Sequence, residues 1–161
     1  MARAIAVAMV MLSVAAGALE AQEGPTGAVF RIGVGPSVAA NGPQIKKNSV
    51  MAVRTEGCAD AGAASITGTA EGLVGHERQS FPLTLRAAGS PGVYGVEGRW
   101  PTQGVWVLSF SGSCGRSQAG TVVPLRAGEF IRGGIVFLTH PPAPGDVDAS
   151  LKTLAAAGTA R

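Results

Sequence analysis

The sequence predicts an all-β protein, an antiparallel sandwich of about seven or eight strands with a short C-terminal helix. Three observations lead there. Short apolar or alternating runs recur along the chain, turn-forming clusters separate them, and no helical stretch long enough for a parallel crossover lies between them. The chain is 46% hydrophobic and 14% charged, with Gly 24 and Pro 10, a balance that suits short strands joined by turns.

The runs predict strands near Ala28–Val34, Val50–Glu56, Ser65–Ala70, Phe81–Ala87, Val93–Glu97, Val105–Ser111, Gly120–Leu125 and Ile131–Leu138. Between them lie Asn41-Gly42-Pro43, Gly57 to Gly62, Gly89-Ser90-Pro91-Gly92, Pro101-Thr102-Gln103-Gly104 and Arg126-Ala127-Gly128. Each cluster supplies a proline with φ preset or a glycine tolerant of positive φ. Val93 to Phe110 reads as a hairpin, with Tyr94 and Val96 on one face of its first strand. Trp106, Leu108 and Phe110 share one face of its second strand, opposite Val107 and Ser109. These aromatics read as core. Pro124 lacks a ladder donor, which predicts an edge or bulged position for its strand.

Beyond Leu138 the run His140-Pro141-Pro142-Ala143-Pro144 favours extended chain. Asp146 to Ala157 then predicts a short helix capped by Asp146 or Asp148, striped by Val147, Leu151 and Leu154, and stopped at Gly158. Such a helix is marginal alone, so it docks on the sandwich, binds something else, or frays. The domain reading is a signal peptide over 1–18, an extension over 19–27, a β-sandwich over 28–139, and a proline-rich linker and tail over 140–161.

The signal-peptide expectation rests on one charge at Arg3, an uncharged run from Ala4 to Leu12, and a small-residue exit at Ala16-Gly17-Ala18. The run is shorter than the roughly 20 residues that span a bilayer. Cleavage before Leu19 leaves about 143 residues, enough for one domain with its own core. It takes Met1, Met9, Met11 and Arg3 with it, so the formal charge of +3 drops by one. The remaining basic residues are scattered apart from Lys46-Lys47, which argues against a nucleic-acid partner. The expected location is the periplasm or the exterior, with no integral membrane segment after cleavage.

In an exported chain the two cysteines, Cys58 and Cys114, read as a disulfide. No CxxC or neighbouring histidine favours a thiolate metal site. Candidate catalytic groups are sparse. A hydrolase base would have to be His76, beside Glu77, or His140. Gly112-Ser113-Cys114-Gly115 lacks the G-x-S-x-G elbow. Gly33-x-Gly35-Pro36 follows a predicted strand but opens no helix, so it reads as a turn rather than a phosphate loop. His76 with Glu71 and Glu77 is the one weak metal candidate, and adjacent residues in a turn do not converge by themselves. No cofactor is expected.

The stretch Phe81-Pro82-Leu83-Thr84-Leu85, Pro91-Gly92-Val93-Tyr94 and Pro101-Thr102-Gln103-Gly104-Val105-Trp106-Val107-Leu108-Ser109-Phe110 resembles exported bacterial immunoglobulin-like domains of the YtkA-like and CopC-like sort. The resemblance covers about thirty residues, a packing signature of turn glycines and core aromatics. It implies an immunoglobulin-like sandwich, and the Cys58–Cys114 separation is similar to the inter-sheet bridge of those domains. In copper-binding relatives, histidines, notably at the mature N-terminus, and sometimes methionines carry the metal. Here the predicted N-terminus, Leu19-Glu20-Ala21-Gln22, carries neither. The function expected is a non-catalytic exported binding or structural module, whose partner is another exported protein, a surface component or a small ligand. The alternatives are a periplasmic copper carrier and, further off, a secreted hydrolase.

Overall fold

The computed structural model describes residues 29–36 and 49–158. The signal peptide, the 19–27 extension, the Asn41-Gly42-Pro43 turn and Lys46-Lys47 lie outside the described residues. The described chain forms β1 (Arg31–Pro36), β2 (Ser49–Glu56), β3 (Ser65–Val74), β4 (Glu77–Pro82), β5 (Thr84–Ala87), β6 (Val93–Glu97), β7 (Val105–Cys114), β8 (Ser117–Arg126), β9 (Glu129–Phe130), a 3-10 turn (Arg132–Gly134), β10 (Val136–Leu138) and α1 (Pro144–Gly158). A four-stranded sheet in the order β1-β2-β6-β5 packs on a second sheet in the order β10-β8-β7-β3-β4, where β9 also pairs with β8. All pairings are antiparallel. The expected all-β sandwich with a C-terminal helix is the fold.

Three local expectations are corrected. Phe81–Ala87 is two strands in different sheets, since Pro82 ends β4 and β5 starts at Thr84. The Leu83 N–H donates to the Gly68 carbonyl at 2.9 Å where the chain crosses. Phe81, Leu83 and Leu85 all still pack on the core, which is why their alternation reads as one strand. Val93 to Phe110 is likewise no hairpin: β6 pairs with β2 and β5, whereas β7 pairs with β3 and β8. The connection 98–104 crosses the sandwich, carrying a half-buried Trp100 onto the core.

Pro124 sits in β8, an interior strand rather than an edge. It pairs in register with Val107 of β7, and its carbonyl accepts the Ile131 N–H at 2.8 Å on the other side. Within a strand, the N–H and C=O of one residue point the same way. The missing donor of Pro124 therefore faces the gap between β9 and β10, and no bond to β7 is lost.

The main core lies between the sheets: Ile32, Met51, Val53 and Val96 from one, Ala70, Trp106, Leu108, Phe110, Val123 and Leu125 from the other. Gly72 pairs with Trp106, and a Cβ there would collide with the indole, so only a bare backbone leaves it room. The Trp106 Nε1–H donates to the Gln103 carbonyl at 2.8 Å, which satisfies its polar end. Buried Thr121 donates its hydroxyl to the Ile32 carbonyl at 2.7 Å, tying β8 to β1 across the layers.

A second core lies on the other face of the β8-containing sheet. Val147, Leu151 and Leu154 of α1 pack there on Val107 and Val122, with Leu73, Val105 and Leu138 around them. The helix is docked, and that sheet is covered on both faces. This explains the unbroken apolar run Val122-Val123-Pro124-Leu125, which a sheet wet on one side would not carry. Pro144 takes the first helical position, and the Asp146 carboxylate accepts the Ala143 N–H at 2.8 Å, half of a capping box. Arg126 closes the other end by donating to the Leu154 carbonyl at 2.9 Å.

Candidate interaction surface

The structure scatters the residues that sequence marks as chemically reactive. His76 is exposed in the two-residue turn between β3 and β4, where Gly75 takes φ 63°. Glu71 is engaged by the Arg78 guanidinium at 2.5 Å, and Arg78 also holds Asp148 of α1 at 2.7 Å. These two carboxylates raise the Arg78 pKa, the Glu71 hydrogen bond first. His140 is exposed beside its own Pro141 carbonyl, its Nδ1 at 2.8 Å. The Ser113 hydroxyl shares a hydrogen bond with that of Ser65 at 2.9 Å. Among the described residues no three of His, Cys, Asp and Glu gather where they could hold a metal ion.

Cys58 and Cys114 are bonded, with their Cα atoms 5.9 Å apart. The bond joins the connection after β2 to the end of β7, so it links the two sheets. The outer face of the β1-β2-β6-β5 sheet is wet and laced with charge. Glu97 accepts hydrogen bonds from Arg86 and Arg99, each at 2.8 Å, and these, Arg86 first, hold its carboxyl below the usual carboxylate value. Arg31 pairs with Glu56 on the same face.

Among the described residues, what remains distinctive is one sheet edge. Solvent-facing edges invite strand pairing, and proteins blunt them with charge or proline. β1 carries Arg31 and Pro36, β4 carries Glu77, Arg78 and Pro82, and β5 carries Arg86. β10, Val136-Phe137-Leu138, carries none of these, and neither do Gly133 to Ile135 before it or Thr139 after it. Val136 is 45% exposed and Phe137 56%. Ile131 and Val29, also exposed, lie beside this edge: Ile131 follows β9, and Val29 lines a shallow depression with Thr139.

The hydrogen-bonding direction of β10 follows from its register. Pro124 turns its carbonyl toward the β9–β10 side, so Val122 and Gly120 do as well, and their partners Val136 and Leu138 turn inward to meet them. Phe137, opposite Thr121, directs its N–H and C=O outward from the sheet. Alongside, a groove of about 340 Å³ runs between β10 and α1, with Val122, Pro124 and Val136 on one wall and Asp146, Ala149, Ser150 and Thr153 on the other. The sequence reading missed this surface because Ile131–Leu138 looked like one strand with no assigned place in a sheet. The signal was present: seven consecutive residues, Gly133 to Thr139, without charge or proline.

No family model, curated protein or solved structure matches this chain.

Proposed function

We propose that this chain is an exported, non-catalytic binding module that engages an exported protein through the edge of β10, which no other described strand pairs. The observation that carries the reading is the contrast among edges: three bear charge or proline, while β10 presents outward backbone groups beside exposed Val136 and Phe137. The apolar leader at the N-terminus and the inter-sheet disulfide agree with export to an oxidising compartment. The scattered placement of His76, His140 and Ser113 gives neither a nucleophile–base pair nor a metal ligand set on which to build a reaction.

The test has two parts. Fractionation of cells producing the chain with a C-terminal tag locates it, and export with loss of the leader is expected. Crosslinking in the exported fraction, read by mass spectrometry, is expected to join β10 of the wild type to another exported polypeptide chain. Phe137→Lys is expected to lose that product. A chain retained in the cytoplasm, or crosslinks that avoid β10, would overturn the reading.

A further inference from the structure

We infer that the outer face of the β1-β2-β6-β5 sheet binds an acidic polysaccharide along a diagonal of three arginines, Arg31, Arg54 and Arg86. This surface is separate from the β10 edge, and neither reading depends on the other. The register defines the face. Ile32, Val53 and Val96 point into the core, so Arg31 on β1, Arg54 and Glu56 on β2, Glu97 on β6 and Arg86 on β5 point away from it. Arg99, just past β6, reaches back to Glu97 at 2.8 Å. Four arginines and two carboxylates thus share the face, whereas elsewhere among the described residues acids outnumber bases. Along the chain these arginines are scattered; strand pairing gathers them.

The ion pairs leave the face cationic, because the acids lie beneath the guanidinium groups. The Glu97 side chain is 13% exposed and that of Glu56 32%, against 66% for Arg31, 61% for Arg86 and 64% for Arg99. Arg31 and Arg86 each meet their carboxylate through Nε, which leaves both Nη groups of each to form a fork for another anion. Arg54 is exposed and has no hydrogen-bond or ion-pair partner among the described residues. Asp60, the next acid along the chain from Glu56, accepts the Gly62 N–H at 2.9 Å.

Spacing selects the ligand. Arg54 is one strand and two residues from Arg31, and Arg86 is two strands and two residues further on. At about 4.8 Å per strand and about 3.4 Å per residue, these are steps of about 8 and about 12 Å. A single carboxylate or phosphate meets one arginine, whereas a polymer with acids set that far apart meets all three and gains by multivalency. Carboxylates fixed on sugar rings, one to each disaccharide, are spaced in this way and lose little freedom on binding. An acidic peptide holds its carboxylates on flexible arms and loses more. A nucleic acid packs its phosphates far more densely, so some fall over Glu56 and Glu97. The described residues of the face also offer its bases no aromatic ring for stacking.

Isothermal titration of the full chain, purified with the Cys58–Cys114 bond formed, tests the inference with hyaluronan fragments of about eight sugars, long enough to span the three arginines. The wild type is expected to bind, and to weaken about tenfold between about 50 and 200 mM salt. Arg54→Glu removes no contact within the described fold and is expected to weaken binding at least about tenfold with thermal unfolding unchanged. Arg116→Glu makes the same charge change in the turn between β7 and β8, away from this face, and is expected to bind as the wild type does. A wild type that ignores hyaluronan overturns the inference. So does an Arg116→Glu loss equal to that of Arg54→Glu, which would mean that net charge alone attracts the polymer. Tighter binding of polyglutamate or of duplex DNA at equal charge overturns the choice of a polysaccharide. Each of these results leaves the crosslinking test of β10 unaffected.

Discussion

β4 and β10 are the two outer strands of one sheet, and they differ in what they show to water. β4 carries Glu77, Arg78 and Pro82, and Arg78 is held by Glu71 on the neighbouring strand and by Asp148 on the helix. β10 carries Val136, Phe137 and Leu138, with no charged residue in the strand itself. β8, β7 and β3 lie between them, and α1 reaches β4 through Asp148 and β10 through the groove. Position in the sheet therefore does not account for the contrast. It lies in side-chain choice at the rim, where charge and proline deter added strands and their absence invites them.

The strands shared by both edges set the largest expected effect. Removing the bond between β7 and the β2 connection, with Cys58→Ala and Cys114→Ala together, is expected to lower stability by ~4 kcal/mol in the chain-entropy model. Urea unfolding reads this as an earlier midpoint with a steeper slope, because the unfolded chain freed of its cross-link exposes more surface. Both edges should lose equally; a selective loss at one would mean the sheet does not open as a unit. Next comes the helix. Leu151→Ala is expected to cost about 3 kcal/mol, because Leu151 is buried between Val107 and Val122. A loss below about 1 kcal/mol would show that α1 is not an integral third layer.

At the guarded edge, Arg78→Ala removes two exposed ion pairs and is expected to cost no more than about 1 kcal/mol, less at high salt. The smallest effect concerns Glu97, beside the β5 edge. Its folded pKa is below the ordinary value of 4.5 because of Arg86 and Arg99. Its contribution is thus complete above about 4.5 and is lost as pH falls through the lowered value. Glu97→Gln is expected to lower stability slightly at pH above about 4.5 and to converge on the wild type at acid pH, which flattens the acid side of the stability–pH curve. An unaltered acid limb would show that the two arginines do not hold this carboxylate in solution.

Much of the fold was legible because its signals are local. Alternation at Trp106, Leu108 and Phe110 marks an inward face, and Val147, Leu151 and Leu154 mark the helix stripe correctly. The cysteines are bonded, as their even count predicts. Errors arose where a residue's meaning depends on its neighbours in space. Pro124 looks like an edge marker, yet its absent N–H points into a gap that the 3-10 turn fills. Phe81 to Leu85 alternates as a single strand because both sheets bury the same side of the chain. Phe137 shows no peculiarity in sequence, since a phenylalanine in an apolar run reads as core; only the strand order places it at a rim.

The claim that β10 is the working edge is tested most directly by amide hydrogen exchange of the isolated protein. The account predicts that the Phe137 amide, which points outward, exchanges at least about tenfold faster than those of Val136 and Leu138, which turn toward β8. A Phe137 amide as protected as those of Val136 and Leu138 would contradict it.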